Sequence, residues 1–501
     1  MNVIIFLIDA LRYDRVNEDF SGKLTPNINK LASEGVSFTS AYSVSNATDV
    51  AVTSLQTGKH PLSHGILNHG TRVTEPEKKT IEQIINLAET LGNNGYHTAK
   101  FGRPLGRWHR NGFDIYPDFS DNKSTTRFIQ KLRSSILTKF GYALQQLDPD
   151  LYRFAHSKYS KFSYKLQESV MAQTQNRAGS KSDNTVSNFI DFTLQNDPVY
   201  SYVHLMDTHT LYSCDFNKVL DLLQSGRYRP DAPLGQINGH TKQFDVWLQY
   251  NSPDVFEQYY YPGNRPSTAI TNATYDAAVV SADIRIGKML NALKNAGIYD
   301  ESLIILLSDH GESLSEHGIY YDHHGLYEVS VKIPLLIKPP HSKNLGIEVD
   351  KLVQIIDVAP TVCDYANIEM DTQGLNLRPY IEGKPGPTRD ELLIEESHTQ
   401  RRRCLVEKEY KLIYDLNSGE ICRYCGIRHA PEFELYELGS DPLELFNLSS
   451  EKLQIVRDLK AKAEILAESY ISKRPSPKDS ARRVYNDEDV VAEKLRQLGY
   501  K

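Results

Sequence analysis

Two apolar runs in this chain end on the same kind of chemistry. Val3 to Arg12 reads VIIFLIDALR and Leu303 to Glu312 reads LIILLSDHGE, so one run closes on Asp9 and the other on Asp309-His310. Five or six consecutive apolar residues suit a strand buried on both faces of an α/β sheet, with its charged residues emerging at the carboxyl end, where open sheets carry their sites. Two carboxylates and an imidazole can share one divalent cation. The set of hard oxygens plus one nitrogen is compatible with Zn, Mn, Ca or Mg and does not choose among them. Taken singly, Asp9 and Asp309 read equally well as helix N-caps after a βα turn; taken together with His310, ligation is favoured. Between the two runs lies Ser45-Asn46-Ala47-Thr48-Asp49, opening a segment that stops at Gly58. A hydroxyl at the start of a helix sits in the field of the free amides, which also favours an anion. Thr48 is therefore expected as the N-cap, and contact with a metal at Asp9, Asp309 and His310 would make its hydroxyl a usable nucleophile.

The elements that must position these residues alternate. Thr80–Asn93 reads as a helix, Gly95 as its stop and Tyr96–Phe101 as a strand, which implies βαβ units up to about residue 115. Residues 116–185 read as a polar helical insertion. Between Lys123 and Lys165 nine Lys/Arg face only Asp148 and Asp150, so the segment is locally basic. The α/β pattern resumes at Pro198–Met206. A second insertion, 211–270, is rich in Tyr, Pro and Gly with weak periodicity and reads as a long loop or lid. Ala277–Ala296 reads as a helix, Pro334–Ile337 as a strand and Val353–Ala366 as a strand leading into a helix. After Gly383-Lys384-Pro385-Gly386-Pro387, short alternating runs such as Lys411–Tyr414 and Glu432–Leu438 suggest a small antiparallel sheet, followed by a helix over 451–473. The organisation expected is a catalytic domain over 1–387, an α+β subdomain over 388–473 and a charged tail over 474–501.

With 501 residues, 40% hydrophobic and 24% charged, the chain can bury a large core. A net charge of -7 argues against general nucleic-acid binding. The short apolar run at the amino terminus lacks a basic flank and a cleavage site, and no run is long enough to span a membrane, so the expectation is a cytoplasmic protein. Five cysteines, an odd number without an export signal, fit reduced thiols. Cys404, Cys422, Cys425 and His429 could still form a structural zinc clasp, although ordinary buried thiols are the commoner outcome of such a spacing.

Several ordered segments resemble the sulfatase branch of the alkaline phosphatase superfamily. Asp9-Ala10-Leu11-Arg12 resembles its opening metal motif. Thr25-Pro26-Asn27 with Leu31–Val36, Leu55-Gln56-Thr57-Gly58, Leu87–Phe101 with Gly102-Arg103, and Tyr275–Gly311 resemble the segments that follow in order. Glu434-Leu435-Tyr436, Asp441-Pro442 and Asn447-Leu448 resemble its carboxyl-terminal subdomain. The resemblance implies an alkaline-phosphatase-like three-layer α/β sandwich with a large, mostly parallel mixed sheet, plus a small antiparallel subdomain. It implies a divalent cation, one or two per chain, held by Asp9, Thr48, Asp309 and His310. It also implies that His209 and His324 take part in catalysis, while Arg103, Asp207 and His323 bind substrate.

The departures from the family pattern bear on the chemistry. The position of the Cys or Ser that sulfatases convert to formylglycine is Thr48, and the Pro and Arg of their modification motif fall at Val50 and Val52, so conversion is not expected. Ala10 replaces the second Asp of the opening pair, and Arg103 replaces the family's sulfate-binding Lys. The pattern is similar to superfamily members that cleave phosphodiesters or phosphonate monoesters with an unmodified Thr. The expectation is hydrolysis of a small anionic phosphate or phosphonate ester, with a glycosylated or lipid-linked leaving group in range. A sulfatase lacking formylglycine and a silent anion-binding protein are the alternatives. The sequence leaves the oligomeric state open.

Overall fold

The computed structural model describes residues 1–17, 24–117, 184–209, 212, 214–228, 252–261, 265–319, 321–342, 345–396, 399–422 and 428–475. Its strands in chain order are β1 Val3–Ile8, β2 Val36–Phe38, β3 Ala41–Tyr42, β4 His97–Gly102, β5 Val199–Leu205, β6 Tyr260–Tyr261, β7 Arg265–Pro266 and β8 Leu303–Leu307. They continue with β9 Leu335–Lys338, β10 Ile347–Val349, β11 Val353–Gln354, β12 Glu391–Glu396, β13 Arg402–Glu407, β14 Tyr410–Asp415 and β15 Phe433–Glu437.

Seven of them form one sheet in the order β10-β2-β9-β8-β1-β5-β4. All its pairs are parallel except those of β9, which runs against both β8 and β2. The apolar runs of β1 and β8 are buried throughout, as expected of strands covered on both sides. Alternation then sorts the side chains. Val3, Ile5 and Leu7 pack on one face with Ala51, Val52 and Leu55, whereas Ile4, Phe6 and Ile8 pack on the other with Tyr275, Val279 and Ile286. Helices on both faces of a mixed sheet make the expected three layers. Because Leu7 lies beside Leu307 on one side and His204 on the other, the carboxyl ends of β1, β8 and β5 come together.

The second sheet, β12-β13-β14-β15, is antiparallel throughout. Leu393, Leu405, Leu412 and Leu435 face the Leu453–Ser472 helix through Val456, Leu459 and Ala463. The opposite face, with Leu392, Ile394, Cys404, Val406 and Ile413, packs on Tyr42, Leu326, Tyr327 and Val331. Cys404 is thus a core residue, and burial pushes its thiol up to about 12. Of the other suggested clasp residues, Cys422 is buried and Cys425 lies outside the described residues.

Three expectations change. Thr80–Asn93 is not one helix: Glu75–Ile81 and Leu87–Asn93 are separate, and Asn86 starts the second with a capping box to Glu89. The 211–270 segment is not all loop, since Phe216–Gln224 and Pro253–Tyr259 are helices and the helix expected from Ala277 already begins at Thr268. Residues 229–251 of that segment, and 118–183 of the basic insertion, lie outside the described residues. Among the described residues no helix is long and apolar enough to cross a membrane.

Candidate active site

At the carboxyl end of β1 the chain turns sharply, with Ala10 at a φ of 59°. That left-handed conformation is unusual for alanine, and it is held from both sides. The Ala10 amide donates to Asp309 Oδ1 at 3.1 Å, and the Tyr275 hydroxyl donates to the Ala10 carbonyl at 2.7 Å. The His310 amide gives Asp309 Oδ1 a second donor at 3.0 Å. One oxygen of Asp309 is thereby anchored, while Oδ2, equally buried, has no hydrogen-bond partner among the described residues.

Asp9 repeats the arrangement. Its Oδ2 accepts from His204 Nε2 at 2.9 Å, and its buried Oδ1 has no hydrogen-bond partner among the described residues. His310 Nδ1 faces the Gly311 carbonyl at 2.8 Å, which places the proton on Nδ1 and leaves the Nε2 lone pair pointing at both carboxylates, 3.7 Å from Asp9 Oδ1 and 3.5 Å from Asp309 Oδ2. Gly311 is required here, because a Cβ would sit 2.0 Å from the Val329 carbonyl oxygen. Among the described residues, Asp9, Asp309 and His310 are the only group of three such side chains able to hold one ion, with ligand atoms all within 4.8 Å of one another. Two buried carboxylate oxygens without a hydrogen-bond donor, converging with the His310 ring nitrogen, fit a divalent cation, and the mixed set does not select one metal. Burial works against ionisation of Asp9, but the His204 hydrogen bond and the nearby His209, His204 and His310 hold its carboxyl well below the ordinary range.

Thr48 is brought to this cluster. It is the first residue of the Thr48–Thr57 helix, and the cap is Ala47, so the expected capping role is corrected. A residue inside the helix is free to turn its side chain away from the amides, and Thr48 Oγ1 lies 3.2 Å from His310 Nε2. The next residue, Asp49, receives His69 Nδ1 at 2.9 Å, His109 Nε2 at 3.2 Å and the Gly70 amide at 2.7 Å. Although burial opposes it, these partners hold the Asp49 carboxyl far below its usual range.

The histidine pair after β8 divides its work. His323 is buried with its ring 4.4 Å from that of His310 and 6.0 Å from that of His209, and its carbonyl accepts from the Asn46 side chain at 2.8 Å. His324 points elsewhere, its Nε2 3.2 Å from Asp322 Oδ2 and its ring 6.0 Å from His429. Adjacent residues face opposite ways, and it is His323 that lies beside His310. Asp207 is buried and pairs through Oδ2 with Arg285 at 2.7 Å, which ties it to the Thr268–Asn295 helix, while its buried Oδ1 has no hydrogen-bond partner among the described residues. Arg103 leans on the Met206 sulfur at 3.5 Å. Sequence reasoning missed His204 and Asp49. For His204 the signal was available, since it continues the Tyr200, Tyr202 alternation to the end of β5; for Asp49 only adjacency to Thr48 pointed to it.

Comparison with known proteins gives the family. The Sulfatase family model matches residues 1–368. The chain belongs to the sulfatase family. A second model, N-sulphoglucosamine sulphohydrolase, C-terminal, matches residues 315–469. An arylsulfatase of Clostridium perfringens is 23% identical over 481 residues, covering 89% of this chain and 90% of its own length. An N-acetylglucosamine-6-O-sulfatase of Bacteroides thetaiotaomicron is 22% identical, covering 89% and 82%. In fold the chain is similar to the phosphonate monoester hydrolase of Silicibacter pomeroyi, with a TM-score of 0.63 at 18% identity over 97% of this chain and 98% of that one. As a sulfatase-family protein it is a hydrolase acting on ester bonds, from a family whose members are typically metal-dependent.

Proposed function

We propose that this sulfatase-family hydrolase cleaves phosphate diesters or monoesters, or phosphonate monoesters, with unmodified Thr48 as the nucleophile. The observation that carries the reading is the Thr48 hydroxyl at the start of its helix, 3.2 Å from His310 Nε2. Asp9, Asp309 and His310 would hold the cation, with Thr48 at its edge. When bound, a divalent cation lowers the pKa of an adjoining hydroxyl and offsets charge on the oxygens of the transferred group. His204 orients Asp9 by its 2.9 Å hydrogen bond, and the Gly311 carbonyl fixes the His310 tautomer.

The reaction then runs in two displacements. Thr48 Oγ, its proton released to solvent, bonds to phosphorus as the ester P–O bond breaks, and the departing oxygen takes a proton from His323 or His209, which flank the cluster. Water next attacks the phosphorus, giving one proton to that histidine as the bond between phosphorus and Thr48 Oγ breaks, and Thr48 regains its proton from solvent. A threonine ester needs that second attack, whereas a formylglycine hydrate can expel its sulfate unaided, and this favours phosphorus over sulfur as the transferred centre. The test is mass spectrometry of enzyme quenched during turnover of an aryl phosphonate monoester. A phosphonyl adduct on the peptide carrying Thr48 is expected, and an adduct confined to another residue would reject the mechanism.

A second reading has its own support. The curated relatives are named for sulfate esters of aryl groups and of N-acetylglucosamine, which favours a sulfated sugar cleaved by the same residues. In either case the substrate is a small anionic ester.

A further inference from the structure

One buried cation near the site has no stated role. Lys100 lies on β4, opposite Tyr202 of β5, and is 2% exposed. Its Nζ has no hydrogen-bond partner among the described residues. The ammonium instead sits 4.7 Å from the centre of the Tyr202 ring and 5.7 Å from that of Tyr116. Two aromatic faces recover part of the lost hydration, but a buried charge without a hydrogen bond remains costly and calls for a ligand, a water or a catalytic explanation.

Its location supplies one. Alternation puts Lys100, Tyr202 and His204 on the sheet face that packs against the Thr48 helix, with Ala99 and Phe101 on the other. The Tyr202 ring meets that of His204 edge-on at 6.2 Å, and His204 in turn bonds Asp9. The Tyr202 hydroxyl likewise lacks a hydrogen-bond partner among the described residues. Burial pushes the Lys100 ammonium down to about 7, reinforced by Arg103 and opposed by the charges of Asp9 and Asp49. Lys100 therefore lies within the field of the carboxylate that orients the cluster and of the one that follows Thr48. Arg103, three residues later, is only partly buried and is engaged with the Met206 sulfur.

We infer that Lys100 binds an oxygen of the group transferred to Thr48, supplying the positive charge that a partly exposed Arg103 supplies poorly. A donor already buried beside the site needs no reorganisation when the substrate arrives, which is how buried charge becomes useful in a site. The inference rests on the proposed role of Thr48 for the position of that group. It does not rest on which ester is cleaved, since phosphoryl, phosphonyl and sulfuryl groups all present anionic oxygens.

Equilibrium binding separates the two. In a Thr48→Ala background, binding of inorganic phosphate and of sulfate is measured by calorimetry, with and without Lys100→Met. At least a tenfold weakening of one or both anions is expected, together with a thermal midpoint equal to or above that of the parent, because methionine fills the space without the unpartnered charge. Unchanged affinity for both anions overturns the inference, as does a fall in midpoint with affinity preserved, which is what a purely structural lysine gives. If the methionine variant does not fold, Lys100→Arg decides: altered anion affinity at an unchanged midpoint supports the role, and unaltered affinity rejects it. Should Thr48→Ala itself retain turnover, the nucleophile reading fails while the anion measurement still reports on Lys100.

Discussion

Buried charge is handled in opposite ways at the two sheets. At the carboxyl edge of the large sheet, Asp9 Oδ1, Asp309 Oδ2 and Lys100 Nζ are buried without hydrogen-bond partners among the described residues. In the small sheet, Arg402 places Nε 2.9 Å from Asp415 Oδ1, directs another nitrogen to Glu434 and donates to the Pro431 carbonyl at 2.9 Å. Arg403 pairs with Glu395 at 2.6 Å and with Glu464 at 2.9 Å. Both arginines meet a carboxylate directly across the ladder, Arg402 beside Asp415 and Arg403 beside Glu395. Cross-strand ion pairs satisfied in this way hold a sheet together. Atoms left unsatisfied at the other edge carry a folding cost that is recovered only when something binds. Charge alone does not mark a functional site; several unpartnered atoms gathered beside one hydroxyl do, whereas single ones such as Glu396 Oε2 occur in the small sheet too.

The contrast is broken most severely at Thr48. Thr48→Ala is expected to lower kcat/KM by about 10⁴-fold or more, roughly 5.5 kcal/mol of transition-state stabilisation, while leaving the unfolding free energy within about 1 kcal/mol of the parent. Steady-state kinetics beside urea unfolding reads both, and wild-type turnover in the variant would remove the hydroxyl from the chemistry. Arg402→Met should do the reverse. It takes the buried guanidinium from both Asp415 and Glu434, leaving Asp415 to Arg428 and Gln400 and Glu434 to the hydroxyls of Tyr327 and Tyr436, so a stability loss of about 3 kcal/mol is expected by urea unfolding, with turnover per folded molecule unchanged. A loss below about 1 kcal/mol would show that the small sheet does not depend on its ion pairs and that the comparison is false.

His204→Leu lies between the extremes, because His204 belongs to the large-sheet edge yet already has a partner. Removing it frees Asp9 to rotate, and a loss of about 10–100-fold in metal affinity or turnover is expected, as for other residues that orient a ligand. Elemental analysis after dialysis, with His204→Gln as a conservative control that keeps a donor, checks it. Full metal retention in the leucine variant would mean that Asp9 does not need orienting.

How much of this was legible in the sequence follows from the same physics. The buried strands announced themselves as unbroken apolar runs, and Asp9, Asp309 and His310 could be placed at their ends before any coordinates, because a parallel sheet puts its charged residues there. Which of two adjacent histidines faces inward depends on a single step of backbone direction, so His323 and His324 could not be separated. The Thr80–Asn93 segment was misjudged because its break rests on one side-chain cap at Asn86, which an apolar periodicity does not record. Asp207 came in through the family resemblance alone, and its ion pair with Arg285, 78 positions away, is visible only in three dimensions. Lys100 was hidden for the opposite reason: a lysine inside a strand reads as a solvated edge, and only its burial against Tyr202 gives it meaning.

The smallest expected effect is also the one that decides the ester. If the unsatisfied edge is tuned to an unmodified threonine, an aryl phosphonate monoester or phosphodiester should be cleaved at least tenfold more efficiently than the matched aryl sulfate, a difference of about 1.4 kcal/mol. The reason lies in the second displacement. A phosphoryl or phosphonyl ester of Thr48 can be resolved by water attacking phosphorus under the same cation and the same flanking histidines, so both steps use one set of groups. A sulfuryl ester of threonine lacks the internal exit that the hydrated aldehyde gives other sulfatases, and it must be attacked at sulfur, which carries less charge for Asp9, Asp309, His310 and their cation to stabilise. Comparing kcat/KM for matched leaving groups with several divalent metals isolates that term, since binding of the aryl portion cancels. A tenfold preference for the sulfate would sink the phosphorus reading and leave Thr48 as the nucleophile of a sulfatase that needs no formylglycine, and no other feature of the edge would have to be reassigned.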